Sequence, residues 1–210
     1  MKNKTRRTLL LGAAAALGVP ALQGCFPLVA TGVGVGAAMY SDRRTSGAII
    51  EDEGIEWRTA RAFRERFGDA IHVNATAYNR NVLLTGEVPD EATRGEVERW
   101  AKSVANVRAV INETVAGGIT SLTSRSNDAL ITSKVKARMV DAGSVPARHV
   151  KVVSEAGTVF LLGIVTMREA DAATDVARTT SGVSKVVRAF EYISEEEARR
   201  LDARIGDKPG

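Results

Sequence analysis

Side chains that commonly carry protein chemistry are scarce in this sequence of 210 residues. It has one cysteine, Cys25, and two histidines, His72 and His149. Neither histidine has a cysteine or paired carboxylates nearby at the spacing of metal ligands. The chain also has no G-x-S-x-G nucleophile motif and no phosphate-binding loop. We therefore expect no catalytic residues, no metal site and no cofactor, and we interpret both histidines as scaffold.

Cys25 stands at the end of an apolar run, where cysteine chemistry is usually covalent processing. Residues 1–7 are basic, residues 9–22 are apolar, and the tetrapeptide 22–25 (LQGC) closes the segment. This order, with an apolar stretch too short to span a bilayer, is typical of a signal peptide. The tetrapeptide resembles a lipobox, in which the cysteine thiol takes a diacylglycerol and becomes the new N-terminus. We expect a signal peptide at 1–24 and lipidation of Cys25, and an uncleaved anchor is the alternative.

The residues around the anchor bear on export and sorting. Arg6 and Arg7 resemble a twin-arginine export signal, but paired arginines are also common in ordinary signal peptides, so both routes stay open. Phe26 follows the lipidation site. In Gram-negative lipoproteins an Asp at this position implies retention in the inner membrane, so Phe26 favours the periplasmic face of the outer membrane. Residues 25–46 are interpreted as a lipidated, glycine-rich linker.

Charge excludes one broad class of function. The chain has 29 basic and 25 acidic residues, but four basic residues and no acidic ones lie in the signal peptide, so the remainder holds 25 of each. A neutral mature chain does not fit nucleic-acid binding, despite the pI of 9.4. Residues 47–117 hold 9 basic and 12 acidic side chains, whereas residues 124–193 hold 10 basic and 7 acidic ones. The second half therefore suits an anionic surface better than the first.

An internal duplication organises the rest of the chain. Residues 82–88 (VLLTGEV) match residues 159–165 (VFLLGIV) at an offset of 77, and His72 matches His149 at the same offset. Farther along the offset becomes 76, which one single-residue insertion or deletion explains. Each copy therefore predicts the same order of helix, strand, strand, helix and strand.

Local patterns place these elements. Apolar residues recur at helical spacing in the first helix of each copy, and turn residues separate the two strands that follow. The second helices are predicted at about 90–105 and 167–181, opened by Pro89-Asp90 and Thr166, and the last strands at about 107–115 and 183–193. Ser126, Asn127 or Asp128 is expected to cap the first helix of the second copy.

These elements predict an α/β fold class, specifically an α+β sandwich. We expect two tandem α-β-β-α-β domains, at 47–117 and 126–193, each with a three-stranded mixed sheet covered by two helices. Residues 118–125 would link them, and residues 194–210 would form a tail with a short helix. Domains of this size are only marginally stable on their own, so the two copies are expected to dock.

Two glycines and twelve apolar residues complete the structural expectations. Gly86 and Gly163 end the second strand of each copy, where a missing Cβ would permit the close approach of a helix that turns back across the sheet. The predicted core is Val73, Leu83, Val88, Val97, Val107 and Val110, with Val150, Phe160, Val165, Val176, Val183 and Val186 in the second copy.

The element order, the V-x-L-x-G-x-V strand and the closing G-V-x-x-V resemble the BON domain, and a lipobox followed by two such domains resembles the dual-BON-domain outer-membrane lipoproteins. The resemblance is most specific at residues 126–128, 134–135 and 150–187. It implies a non-enzymatic protein that supports envelope integrity and binds anionic phospholipid, such as phosphatidylglycerol or cardiolipin, through the second domain. The alternative is an adaptor for another envelope protein, such as an outer-membrane assembly protein.

The helix at 128–142 is the candidate binding element. Its sheet-facing residues would be Ile131, Val135, Arg138 and Met139. A helical wheel then places on the outer side Leu130, Ala137 and Val140, with Lys134 and Lys136 beside them. Apolar side chains flanked by lysines are typical of a helix that lies in a membrane interface. The alternative is that Leu130 and Val140 pack against the first domain.

Two features outside this helix carry weaker expectations. Trp57 lies off the core side of the first helix and is expected to be buried between the domains, with partner contact as the alternative. Ser194 and Glu197 form a capping-box pattern before a thin apolar stripe, which predicts a short tail helix of unassigned role.

Overall fold

The computed structural model describes residues 42–118, 122–143 and 147–206, and the prediction for Cys25 lies outside these ranges. The elements of the first domain are α1 (Ser46–Phe67), β1 (His72–Tyr78), β2 (Asn81–Val88), α2 (Glu91–Ser103), β3 (Ala109–Asn112) and β4 (Val115–Ala116). Those of the second are α3 (Leu122–Ala142), β5 (Val150–Glu155), β6 (Thr158–Val165), α4 (Met167–Arg178) and β7 (Lys185–Tyr192), followed by α5 (Glu195–Gly206).

The two domains repeat one sheet topology. In the first, β2 pairs antiparallel with β1 and parallel with β3 and β4. In the second, β6 pairs antiparallel with β5 and parallel with β7. The central strands β2 and β6 are related by the offset of 77 that the sequence contains. The α+β fold of two mixed sheets with helices is therefore confirmed.

The last strand of the first domain differs from the prediction because it is divided into β3 and β4, so the first sheet has four strands. Asn112 explains the interruption. Its side-chain oxygen accepts hydrogen bonds from the backbone nitrogen and the hydroxyl of Thr114, at 3.2 and 2.6 Å. Such a local bond competes with the strand ladder, whereas β7 continues unbroken over eight residues.

Side-chain caps open α2 and α4, as the sequence predicts. Asp90 accepts a hydrogen bond from the backbone nitrogen of Thr93, and Thr166 forms a full capping box with Glu169. The cap prediction for the second copy is wrong, because α3 begins at Leu122, within the expected linker, and Asp128 lies inside the helix.

Asp128 instead stabilises the hairpin turn between β5 and β6. Its buried carboxylate accepts hydrogen bonds from the backbone nitrogens of Ala156 and Gly157, both at 2.9 Å. Asp52 does the same in the first domain for Asn79 and Arg80. All four turn residues have positive φ, so an acceptor aimed at their N–H groups offsets a backbone strain that only glycine avoids.

Each domain has a core between its helices and one face of its sheet. Ten of the twelve predicted core residues belong to these two cores. The other two, Leu83 and Phe160, are buried but lie on the opposite face of their sheets. Their predicted burial is confirmed, but the sequence did not show on which face they lie, because β2 and β6 are buried on both faces and hydrophobicity no longer alternates.

The opposite faces of the two sheets pack together, so the expected docking of the copies is present. A third apolar cluster fills this interface, formed by Tyr78 and Leu83 of the first domain with Phe160, Leu162 and Ile164 of the second. Polar contacts surround it: Lys151 donates to Glu56 at 2.8 Å, and Asn79 donates to Glu191 at 2.8 Å. The helices α1 to α4 consequently lie on the two outer sides of the paired sheets.

Candidate functional site

The outer side of α3 is open to solvent. Its inner side is buried through Ile131, Val135 and Met139, as predicted. Leu130 is 60% exposed and Val140 is 67% exposed, and Ala137 between them is also exposed. The alternative in which Leu130 and Val140 pack against the first domain is therefore wrong, because that domain contacts the sheet face remote from α3.

Two lysines border this apolar strip. At 100° per residue, Lys134 and Lys136 fall on opposite flanks of the line through Leu130, Ala137 and Val140. Within the described ranges neither lysine forms an ion pair, and both are exposed. Crowding by protein atoms and, next, repulsion from Lys151 lower the pKa of Lys136. An anion beside Lys136 would relieve this repulsion.

A cleft of about 500 Å³ opens where the strip ends at Val140 and Lys136. Its basic lining residues are Lys136, Arg148, Lys151 and Arg44, and its acidic lining residue is Asp42. Met139, Val150 and Tyr78 contribute its apolar wall. The cleft thus combines an excess of cations with apolar surface at the edge of the exposed strip.

Arg138 does not face the sheet as predicted, and it belongs to neither the core nor the strip. It is exposed, and its guanidinium donates to the carbonyl of Val176 at 3.3 Å and to the hydroxyl of Thr180 at 2.9 Å. Carbonyls at the end of α4 lack partners within that helix, so a cation there satisfies them. The Cα of Arg138 lies at the edge of the buried side of α3, and its long side chain extends from there to the end of α4. A helical wheel shows only the direction of each Cβ, so it does not predict where such a side chain ends.

The segment before α1 is held against the second domain, although it falls within the predicted linker. Arg43 is buried and forms paired hydrogen bonds with Glu169, at 2.7 and 2.9 Å, and with Asp202, at 2.9 Å each. It also donates to the carbonyl of Ile164 at 3.0 Å. Burial alone would raise the pKa of Glu169, but the hydrogen bonds from Arg43 and from the backbone of Thr166, together with the positive charge of Arg43, outweigh it and the pKa is lowered.

His149 lies beside this ion cluster and is completely buried. Burial, followed by the positive charge of Arg43, lowers the pKa of His149 to about 4. The ring is therefore neutral near pH 7, and its contact with Asp202 at 3.3 Å is not an ion pair under those conditions. Arg148 also contacts Nε2, at 3.1 Å, whereas Nδ1 is buried without a hydrogen-bond partner in the described part of the chain. His149 thus fits the scaffold interpretation.

The sequence predicts no paired carboxylates at metal-ligand spacing near His72, but the structure places two carboxylates beside it. His72 stands opposite Glu87 in the β1–β2 register, with its Nδ1 at 3.1 Å from the Glu87 carboxylate. Glu155 reaches the same place from the second domain, and one ligand atom from each side chain lies within 4.8 Å of the others. No pattern in the sequence points to Glu155, because the docking of the domains creates this cluster.

Gly86 and Gly163 permit a close backbone approach, but the neighbour is a strand and not the predicted helix. A Cβ at Gly86 would lie 2.0 Å from the carbonyl oxygen of His72, and one at Gly163 would lie 2.4 Å from that of His149. Gly86 also has a φ of +108°, which side-chain-bearing residues rarely adopt. The duplicated glycines therefore secure the pairing of the two antiparallel strands in each sheet.

Two further surfaces bear on partners and membranes. Trp57 is 63% exposed and carries Arg61 at 5.5 Å from its ring centre, so its expected burial between the domains is wrong. The tail helix α5 is not free, because Leu201 packs on the interdomain cluster and Asp202 binds Arg43. None of the helices in the described ranges has the length and apolar content that a bilayer crossing requires.

Comparison with known proteins agrees with the duplicated fold. The BON domain family matches residues 56–118 and 127–194. Outer membrane lipoprotein DolP of Haemophilus influenzae is 40% identical over 174 residues, which cover 82% of this chain and 90% of the relative. The 21 kDa hemolysin of Actinobacillus pleuropneumoniae is 32% identical and covers 72% of this chain and 79% of the relative.

Among solved structures, CdsD of the type III secretion system of Chlamydia trachomatis is 14% identical, with a TM-score of 0.28, and covers 77% of this chain and 99% of that chain. The two matched segments and the relative at 40% identity decide the assignment. The chain belongs to the BON domain family and is a dual-BON-domain protein of the DolP type.

Proposed function

We propose that the chain is a non-enzymatic outer-membrane lipoprotein, anchored through Cys25, that binds anionic phospholipid through α3 and so supports envelope integrity. The observation that carries this proposal is the exposure of Leu130 and Val140 on one side of α3, between two lysines that form no ion pair with the residues the structure describes. The similarity to outer membrane lipoprotein DolP supports the location.

The energetics explain why both an anchor and an anionic surface are needed. Insertion of about one CH₂ equivalent from each of Leu130, Ala137 and Val140 contributes about 2–3 kcal/mol, at roughly 0.8 kcal/mol per buried CH₂. Lys134 and Lys136 contribute about 1 kcal/mol each, and only where the surface is negative. The sum corresponds to a Kd of about a millimolar. Binding this weak becomes effective when a lipid chain already holds the domain near the bilayer.

We expect the cleft next to Lys136 to bind the phosphate group of the phospholipid. A phospholipid whose acyl chains contact Val140 presents its phosphate near Lys136, Arg148 and Lys151, three of the four cations that line the cleft. Charge-assisted hydrogen bonds to a phosphate are shorter and stronger than neutral ones. Lys151 already pairs with Glu56, so Lys136 and Arg148 are the residues expected to contribute most.

The test uses an unacylated chain that starts at residue 36, because separate domains would expose the apolar interface between the sheets. It should float with vesicles that contain phosphatidylglycerol or cardiolipin and should not float with purely phosphatidylcholine vesicles. Leu130→Glu should abolish flotation without changing thermal stability. Ile50→Glu is the matched control, since Ile50 on α1 is 61% exposed and stands outside the strip.

An adaptor function is the second candidate, and the exposure of Trp57 and Ile50 favours it. These residues are seven positions apart on α1, so they lie on one side of the helix and are available to a protein partner. The flotation experiment separates the two candidates. If Leu130→Glu binds vesicles like the unmodified chain, the lipid assignment of α3 is wrong and the adaptor becomes the leading candidate.

A further inference from the structure

The cluster of His72, Glu87 and Glu155 joins the two domains at their interface. His72 and Glu87 face each other on β1 and β2, and Glu155 is the last residue of β5 in the second domain. One nitrogen and two carboxylate oxygens, one from each residue, lie within 4.8 Å of one another. Three side chains from three strands thus converge on a single point.

Negative charge exceeds positive charge at this point. Glu87 is buried, and its carboxylate contacts the His72 imidazole. Glu155 is partly buried, and within the described ranges its carboxylate accepts long hydrogen bonds, at 3.3 Å each, from Asn74 and Thr85. Carboxylates held together away from water are costly unless a cation accompanies them.

We propose that His72, Glu87 and Glu155 bind one zinc ion, with water as the fourth ligand. Imidazole nitrogen and carboxylate oxygen are both zinc ligands, and four-coordinate zinc places them about 2.0–2.2 Å from the metal. Calcium and magnesium prefer sets of six or more oxygen ligands, so the imidazole favours zinc. Tetrahedral coordination puts ligand atoms roughly 3.5 Å apart, which the present separations reach by small side-chain rotations.

The site has a structural role because its ligands come from both domains. Two ligands come from the first domain and one from the second, so the ion binds the docked pair better than separated domains. Binding of a ligand to the folded arrangement alone stabilises it by mass action. Zinc is therefore expected to strengthen the interdomain contact, independently of lipid binding by α3.

The experiment measures zinc binding by the full chain purified in detergent and treated with a chelator. Isothermal titration calorimetry should give one zinc ion per chain, with micromolar or tighter affinity. His72→Asn and Glu155→Gln should each weaken binding at least tenfold. His149→Asn is the matched control, because it removes the duplicated histidine, which lies outside this cluster, and it should bind zinc like the unmodified chain.

A second readout keeps the result independent of folding. Without metal, circular dichroism should show that Glu155→Gln is folded, and zinc should raise the unfolding temperature of the unmodified chain but not of this variant. Substitution with cobalt should give visible absorption bands of tetrahedral coordination that disappear in His72→Asn. Absence of zinc binding by the unmodified chain, or equal binding by folded Glu155→Gln, overturns the proposal.

Discussion

Replacing Arg43 by methionine should destabilise the protein strongly, because it removes the cation that accompanies two carboxylates. The Arg43 side chain is 1% exposed, and its partners Glu169 and Asp202 are 9% and 36% exposed. Removal of one partner from a buried ion pair costs about 3–5 kcal/mol. Asp202 can be hydrated and Glu169 keeps a hydrogen bond from the backbone of Thr166 at 2.8 Å, so we expect the lower end, about 3 kcal/mol.

The stability lost in Arg43→Met should be larger at neutral pH than at acidic pH. The pKa of Glu169 is lowered in the folded state, so its contribution to stability is present above the unfolded pKa of 4.5 and is lost as the pH falls through the folded pKa. In Arg43→Met, burial acts on the Glu169 carboxylate without this compensation. The difference in unfolding free energy between the two proteins should therefore be largest near neutral pH and decrease as the pH falls below about 4.5.

Urea unfolding followed by circular dichroism, at pH 7 and pH 4, measures this difference on the chain that starts at residue 36. Arg178→Met is the control, because the ion pair of Arg178 with Asp175 is exposed and is worth well under about 1 kcal/mol. A second variant, Arg43→Met with Glu169→Gln, should recover part of the loss, since no buried charge is then left alone. If Arg43→Met costs no more than Arg178→Met, or costs the same at both pH values, the reasoning is refuted.

Two further predictions concern His149 and Cys25. Because the pKa of His149 is lowered from 6.5 to about 4 on folding, stability should fall by up to about 3 kcal/mol as the pH decreases from 6.5 to 4. His149→Asn should flatten this part of the pH profile in urea unfolding, and an unchanged slope would contradict the assignment. Cys25→Ser should leave a precursor that takes up no palmitate analogue and does not partition with membranes; an unmodified chain that takes up no label would contradict the lipidation prediction.

The exposed strip on α3 shows which features the spacing of apolar residues can predict. The spacing of Ile131, Val135 and Met139 identifies the buried side of α3, and the opposite side then follows from helix geometry. Arg138 is an exception to this helical pattern. Its long side chain extends away from the helix face on which its Cα lies and forms a hydrogen bond with Val176. Periodicity thus predicts which backbone face is buried more reliably than it predicts where a flexible polar side chain ends.

Duplication and strand patterning were sufficient for the element order, the mixed sheets and the helix caps at Asp90 and Thr166, because these depend on residues close together along the chain. The assignment of Leu83 and Phe160 to a particular core was not determined this way. Both residues are apolar in strands that are apolar on both faces, so only the packing of one sheet on the other distinguishes their environments.

The fold class, the two copies of the domain and the outer side of α3 follow from the order of the residues alone. The meeting of distant groups depends on how the elements pack: Arg43 with Glu169 and Asp202, and His72 with Glu155 of the other domain. The physical reason lies in the range of the interactions. Helical and strand periods are set by the local backbone, whereas charges separated by 80 or more positions are brought together only when the sheets pack face to face and Arg43 and α5 pack against the second domain.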